Sequence, residues 1–407
     1  MIKLLSLSLV YPNPSEPGLG SFVRSRLQAM AASAQVKVVA PVPVLDYSNP
    51  GGKLFRRRTY PSVREDGQIE TFHPGWLYPP GGTPLNVACL AARLHPLLRH
   101  IRREYPFELI DAHFGYPEGP AAALLSKLLN VPFTITLRGS ETMFAAYPRR
   151  RDAMRWAFGR ASRVIAVSED LRQFAVANGV TEERAVTIPN GIDGEQFFPR
   201  DSRLARIKHG LADGRKHIVS AGELIEAKGH HLVAEALKAL ADEGVDADLL
   251  IVGATARGGP RFEEALRRRI SELGISRRVR FMGFVDRTGM AELLSAADVF
   301  CLASYTEGCP NVVNEALACG APVVATRVGG VPSMVPSERY GFVVPPRDPN
   351  ALRDALREAL QRSWDRPAIS EWGRSRSWQQ VGREVIGVME NIVTGTSPAG
   401  TLSYVRN

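Results

Sequence analysis

The sequence predicts an α/β protein built from two doubly wound, largely parallel sheets. Three observations carry that prediction. At 407 residues the chain is longer than one hydrophobic core usually serves, so two domains of about 200 residues each are expected. Short apolar runs ending in Gly, Ser, His or Asn alternate with stretches of helical period, the pattern of βα units. Hydrophobic residues at 44% and charged residues at 23% supply enough apolar side chain for two cores.

Taken in order, the apolar runs of the first half place strands near 2–10, 35–40, 108–112, 131–137, 163–168 and 185–189. Those of the second half fall near 217–221, 248–253, 279–283, 298–303, 322–326 and 341–344. Helices fill the gaps, notably 19–32, 84–103, 118–129, 150–161, 229–241, 260–273, 310–319 and 349–361. The opening run ends in the turn Tyr11-Pro12-Asn13-Pro14 and lacks a basic leader, so it reads as a buried strand and not as a signal segment. Residues 41–83, rich in Pro and Gly around Arg56-Arg57-Arg58, read as a long loop. The hinge is expected near Asn190 to Arg200, giving domains over 1–195 and 196–370. A last helix, 371–392, is expected to pack back on the first domain.

Several classes are disfavoured. Cys89, Cys301, Cys309 and Cys319 are too few and too scattered for a disulfide framework, and they form no CxxC pair, so neither a zinc site nor a dithiol redox site is indicated. No run approaches the roughly 20 apolar residues that span a bilayer. The net charge of +9 is uneven: residues 1–163 carry a net of +10 and the remainder −1. The N-terminal part is therefore either a solvated basic surface or the side that meets something anionic. The basic residues lack an interleaved aromatic motif of a nucleic-acid-binding fold, which argues against nucleic acid. Gly18-Leu19-Gly20 stands alone and does not open a G-x-G-x-x-G into a helix, which argues against a dehydrogenase.

The most informative segment runs from Ser304 to Gly320. A buried strand leads into it, Pro310 suits the first turn of a helix, and Gly320 suits a left-handed cap at its far end. The free N–H groups of Asn311, Val312 and Val313 then lie at the C-terminal edge of a sheet, where anions bind. Glu307 and Glu315 beside an anion site suit hydroxyl-bearing ligands, a sugar or a ribose. The alternative is an ordinary βα turn with a capping Glu307. Asp246-Ala247-Asp248 precedes a strand and reads as a loop, with no metal implied.

With "TEGCPNVVNEALACGAPVVAT" at 306–326, these residues resemble retaining glycosyltransferases of the GT-B fold, family 4, whose hallmark is an EX7E pair. Further likeness lies in "HFGYPEG" at 113–119, "TLRGSE" at 136–141, "VTIPNGID" at 186–193, "AGELIEAKGH" at 221–230 and "GFV" from Gly283. The resemblance implies two Rossmann-like domains facing a cleft and transfer of a sugar from a UDP- or GDP-sugar to a glycan or lipid-linked acceptor. Surface polysaccharide or glycolipid synthesis is the implied setting, and no cofactor or metal is required. It implies that Glu315 accepts hydrogen bonds from the ribose and that Glu307 meets the donor sugar. Lys228 would neutralise the diphosphate, Gly283 lie beside the nucleobase, and Gly18 and Gly20 admit close approach to phosphate. His113 would position the acceptor or act as a base, or else be structural.

Two positions depart from the family pattern. Glu223 stands where many relatives have arginine, and Arg138 where they often have histidine; Arg138 is expected to restore the missing charge. The rivals are a sugar-nucleotide epimerase of the same fold and a non-catalytic sugar-nucleotide-binding protein. Helix 84–103 and the cluster Arg149-Arg150-Arg151, Arg155 and Arg160 could lie against an anionic membrane, which would make this a cytoplasmic protein, peripheral at the inner face.

Overall fold

The computed structural model describes residues 1–45, 59–79, 83–255 and 260–396; Arg56-Arg57-Arg58 and residues 256–259 fall outside them. The chain forms two compact units, Met1–Asn190 with the segment from Trp378 onward, and Gly191–Ser377. The passage from the first to the second is thus at Asn190–Gly191.

The first unit holds an eight-stranded sheet. Its spatial order is Ala185–Thr187, Arg163–Ala166, Phe133–Leu137, Leu109–His113, Lys3–Leu7, Gln35–Val39, Ile69–Phe72 and Val63–Asp66. All neighbours run parallel except the last pair, an antiparallel hairpin. This hairpin corrects the reading of 41–83 as loop throughout. Asp66 pairs with Ile69 around Gly67, whose φ of +65° suits the tight turns that match strand twist.

The helix read over 371–392 is two helices. Arg366–Arg374 belongs to the second unit, and Trp378–Thr394 returns to the first. Trp378, Val381, Val385, Ile386 and Met389 are buried with Val23, Leu27 and Met30 of the helix Ser21–Ala31. Each such side chain stabilises the unit by about 1.5–3 kcal/mol. Gly382 allows the two helices to approach, since a Cβ there would lie 2.8 Å from the backbone of Ala29.

The second unit holds six parallel strands in the order Val279–Gly283, Ala247–Val252, Lys216–Ala221, Val299–Leu302, Val323–Thr326 and Gly341–Val344. Ile218, Leu249, Val299 and Val324 on one face pack against Val233, Leu237, Leu352 and Leu356 of the helices His230–Asp242 and Pro349–Gln361. In each sheet the winding reverses between two adjacent strands: Lys3–Leu7 and Leu109–His113 in the first, Lys216–Ala221 and Val299–Leu302 in the second. The loops leaving those pairs diverge, and the crevice between them is where ligands bind in such folds.

Candidate functional site

In the second unit the crevice is drawn tight by glycines. Gly229 has φ +69° and sits so close to the next loop that a Cβ would lie 2.0 Å from the carbonyl oxygen of Ala303. The Tyr305 N–H donates to the Ala227 carbonyl at 2.8 Å, tying the same two loops. This closure brings Lys228 Nζ to 2.6 Å from Glu307 Oε1, and the Ser304 hydroxyl donates to that oxygen at 2.7 Å. Behind Glu307, Gly329 passes within 2.3 Å of its carbonyl oxygen for any added Cβ, and the Gly330 N–H donates to Gly308. The Glu307 side chain is only 10% exposed and that of Lys228 26%, so the pair is partly shielded from solvent.

The helix that follows spans Asn311–Ala318, with Pro310 at its N-cap and not in its first turn. Gly320 closes it with φ +78°. The Val313 N–H is spent on the Pro310 carbonyl at 3.0 Å, so the anion-facing donors are fewer than the spacing suggested. Glu315 is partly exposed, yet burial pushes its carboxyl up to about 7, with Arg287 opposing. Gly283 ends its strand exposed with φ +67°, followed by Phe284, which is 77% exposed. Glu223 is also exposed.

Sequence reasoning missed Ser304 and His230. The His230 ring is fully buried, with Nδ1 2.9 Å from the Ser220 hydroxyl, and burial lowers its pKa to about 4. It is a neutral brace beneath the Lys228 loop, marked in the sequence only as the last residue of the AGELIEAKGH likeness. Asp246 and Asp248 pair with Arg215, and Asp246 also with Arg278, at the opposite, N-terminal edge of the sheet.

In the first unit Arg138 and His113 come together, but His113 is not presented to solvent. It is completely buried; its Nδ1 faces Arg138 at 3.0 and 3.3 Å, and its Nε2 lies 3.1 Å from Asp111 Oδ2. A guanidinium only donates, so Nδ1 must accept and the ring proton sits on Nε2. Burial lowers the His113 pKa to about 4, Asp111 opposing, so the ring is neutral at physiological pH. Asp111 is itself disfavoured by burial, but Arg26 and His113 hold its carboxyl below the usual range, and Thr134 donates to it at 3.0 Å. Arg138 also reaches Asn190 at 3.3 Å and stacks 5.0 Å from the Phe22 ring centroid. His113 therefore positions Arg138. Glu141 holds the same loop by accepting from the N–H groups of Gly115, Arg138 and Gly139.

Gly20 behaves as expected of a close approach: φ is +63° and a Cβ would lie 2.1 Å from the Val10 carbonyl oxygen. Gly18 does not, being exposed with nothing near it. On the surface, helix Thr83–Glu104 spends Leu90, Leu94 and Leu98 in the core. In the 149–160 segment Arg150 instead lies over exposed Tyr147 and Arg160 over exposed Trp156, and Met143 nearby in sequence is exposed too. Among the described residues no helix is long and apolar enough to cross a membrane.

The family model "Glycosyl transferases group 1" matches residues 201–376, and "Glycosyltransferase Family 4" matches 18–196. The teichuronic acid biosynthesis glycosyltransferase TuaC of Bacillus subtilis is 29% identical over 383 residues, covering 91% of this chain and 92% of that one. A D-inositol 3-phosphate glycosyltransferase of Corynebacterium urealyticum is 28% identical, covering 71% and 72%. Among solved structures, a sucrose-phosphate synthase of Thermosynechococcus elongatus superposes with a TM-score of 0.78 at 20% identity, over 97% of this chain and 100% of that one. HepE of Anabaena in complex with UDP gives 0.72 at 20% identity, over 96% and 100%. These likenesses establish the GT-B fold.

Proposed function

The chain is a glycosyltransferase whose two halves match the family 4 and group 1 models, and we propose that it transfers a hexose, with retention, from a UDP- or GDP-sugar. The acceptor is a glycan or lipid-linked glycan, in the making of a surface polysaccharide or glycolipid. The observation that carries this reading is the Lys228–Glu307 pair at the switch point of the second sheet, with Glu315 on the helix just beyond. A single lysine beside a helix start suits a diphosphate, and two carboxylates suit sugar and ribose hydroxyls. The naming of TuaC for teichuronic acid synthesis and the UDP bound to HepE support the acceptor class and the donor class.

In this mechanism Lys228 and the helix N-terminus stabilise the charge that builds on the leaving diphosphate, and no metal is needed. Glu307 meets the sugar near the reacting carbon, and Arg138, held by His113, contributes to the transfer. The acceptor attacks from the face the diphosphate leaves. The basic and aromatic surface around residues 143–160 suits an anionic bilayer carrying the acceptor. Vesicles containing anionic lipid should retain the protein at low salt and release it at high salt.

The test is a panel of UDP- and GDP-sugars with polysaccharide fragments and lipid-linked acceptors, with NMR of the product anomeric proton. An α-linkage from an α-donor is expected. Inversion, or interconversion of free sugar nucleotides without acceptor, would refute it.

A further inference from the structure

We infer that Glu307 is the resting counter-ion of Lys228, and that this pairing makes the site favour a sugar-bearing nucleoside diphosphate over the bare diphosphate left after transfer. The inference rests on the donor reading proposed above. The loop that would cradle the diphosphate, residues 222–229, contains one cation and two acids: Lys228, Glu223 and Glu226. Its only cation is already engaged, 2.6 Å from Glu307 Oε1, in a pair of which the carboxylate is 10% exposed. An arriving diphosphate must therefore take Lys228 away from Glu307.

What happens to Glu307 then decides the affinity. A largely enclosed carboxylate that loses its cation keeps, among the described residues, only the Ser304 hydroxyl, and a charge left short of partners is costly. A donor compensates, because its sugar hydroxyls can donate to the freed carboxylate. The bare nucleoside diphosphate has no sugar, and its terminal phosphate carries an additional ionisable oxygen. It leaves Glu307 unsatisfied and faces it with more negative charge. The exchange thus helps capture the donor and expel the product.

Calorimetry with UDP, GDP, UDP-glucose and GDP-mannose tests this on the full chain. Glu307→Gln keeps the shape and removes the charge, so Lys228 becomes available. The variant should bind its bare nucleoside diphosphate about tenfold more tightly than wild type, and its preference for the sugar-bearing form should shrink or reverse. In a Lys228→Ala background the same change should give no gain, because the gain acts through Lys228. Equal melting temperatures of wild type and Glu307→Gln would show that the fold is intact. Glu307→Gln binding the diphosphate no tighter, or gaining equally without Lys228, overturns the inference alone. Wild type that binds none of the four ligands overturns the donor reading and this inference with it.

Discussion

Replacing Glu315 by glutamine should change how stability depends on pH. In the folded protein burial pushes the Glu315 carboxyl from 4.5 up to about 7. A folded-state pKa above the unfolded one means that the folded chain holds its proton more tightly. The stabilising contribution is therefore complete below pH 4.5 and is lost as the pH rises through about 7. A shift of this size corresponds to about 3 kcal/mol at most, and about 2 kcal/mol once partial exposure is allowed for. Glutamine resembles the protonated acid and stays neutral at every pH. The variant and wild type should thus be nearly equally stable at pH 4.5, while at pH 8 the variant should be stabler by about 2 kcal/mol. For a unit of this size that is a rise in melting temperature of about 4–8 °C. Thermal unfolding of both proteins at each pH gives the difference directly, and other titrating groups such as Glu118 cancel. Parallel pH profiles for the two proteins would refute the reasoning. The functional corollary is that hydroxyls binding the ionised carboxylate should release a proton, so donor affinity should strengthen between pH 6 and 8 in wild type and much less in Glu315→Gln.

Gly229→Ala should destabilise the protein by more than about 2 kcal/mol, because it adds left-handed strain to a 2.0 Å approach to the Ala303 carbonyl. Gly18→Ala, with open space and an ordinary φ, should change unfolding by less than about 0.5 kcal/mol. Arg138→Ala should lower kcat/KM about tenfold or more, as loss of one charge-assisted bond implies; near-normal kinetics would remove Arg138 from the mechanism. Transfer should proceed at an undiminished rate in EDTA, and a rate restored only by added divalent ion would show that Lys228 and the helix start are insufficient.

The parallel strands and the Ser304–Gly320 segment were legible because local signals and fold agree there: apolar runs bounded by Gly and Pro, then a strand–turn–helix with Gly320 at its end. The hairpin Val63–Asp66 and Ile69–Phe72 was hidden by its Pro- and Gly-rich surroundings, although Asp66-Gly67 was its turn signal. The split of the last helix had no local mark. Gly373, in the last turn of Arg366–Arg374, sits where a Cβ would come 2.3 Å from the Ala318 N, so that helix is held against Asn311–Ala318 before the chain returns to the first unit at Trp378. Nor could spacing show that Lys228 and Glu307 touch across 79 residues, since that depends on how Gly229 closes on Ala303.

The two crevices use one topological device for different ends. In the first unit the charges behind the sheet edge are sealed: Asp111 and His113 have no exposed surface, and Arg138 is 8% exposed. A sealed, mutually bonded set cannot rearrange cheaply, because each lost bond would strand a buried polar group. Its chemistry is to hold the Arg138 guanidinium in one orientation between His113, Asn190 and Phe22. In the second unit the Lys228–Glu307 pair is partly open to water, and both members have natural replacements in a sugar nucleotide. The shortage of cations in the 222–229 loop therefore need not weaken a donor that brings its own hydroxyls. It weakens the product that has lost them.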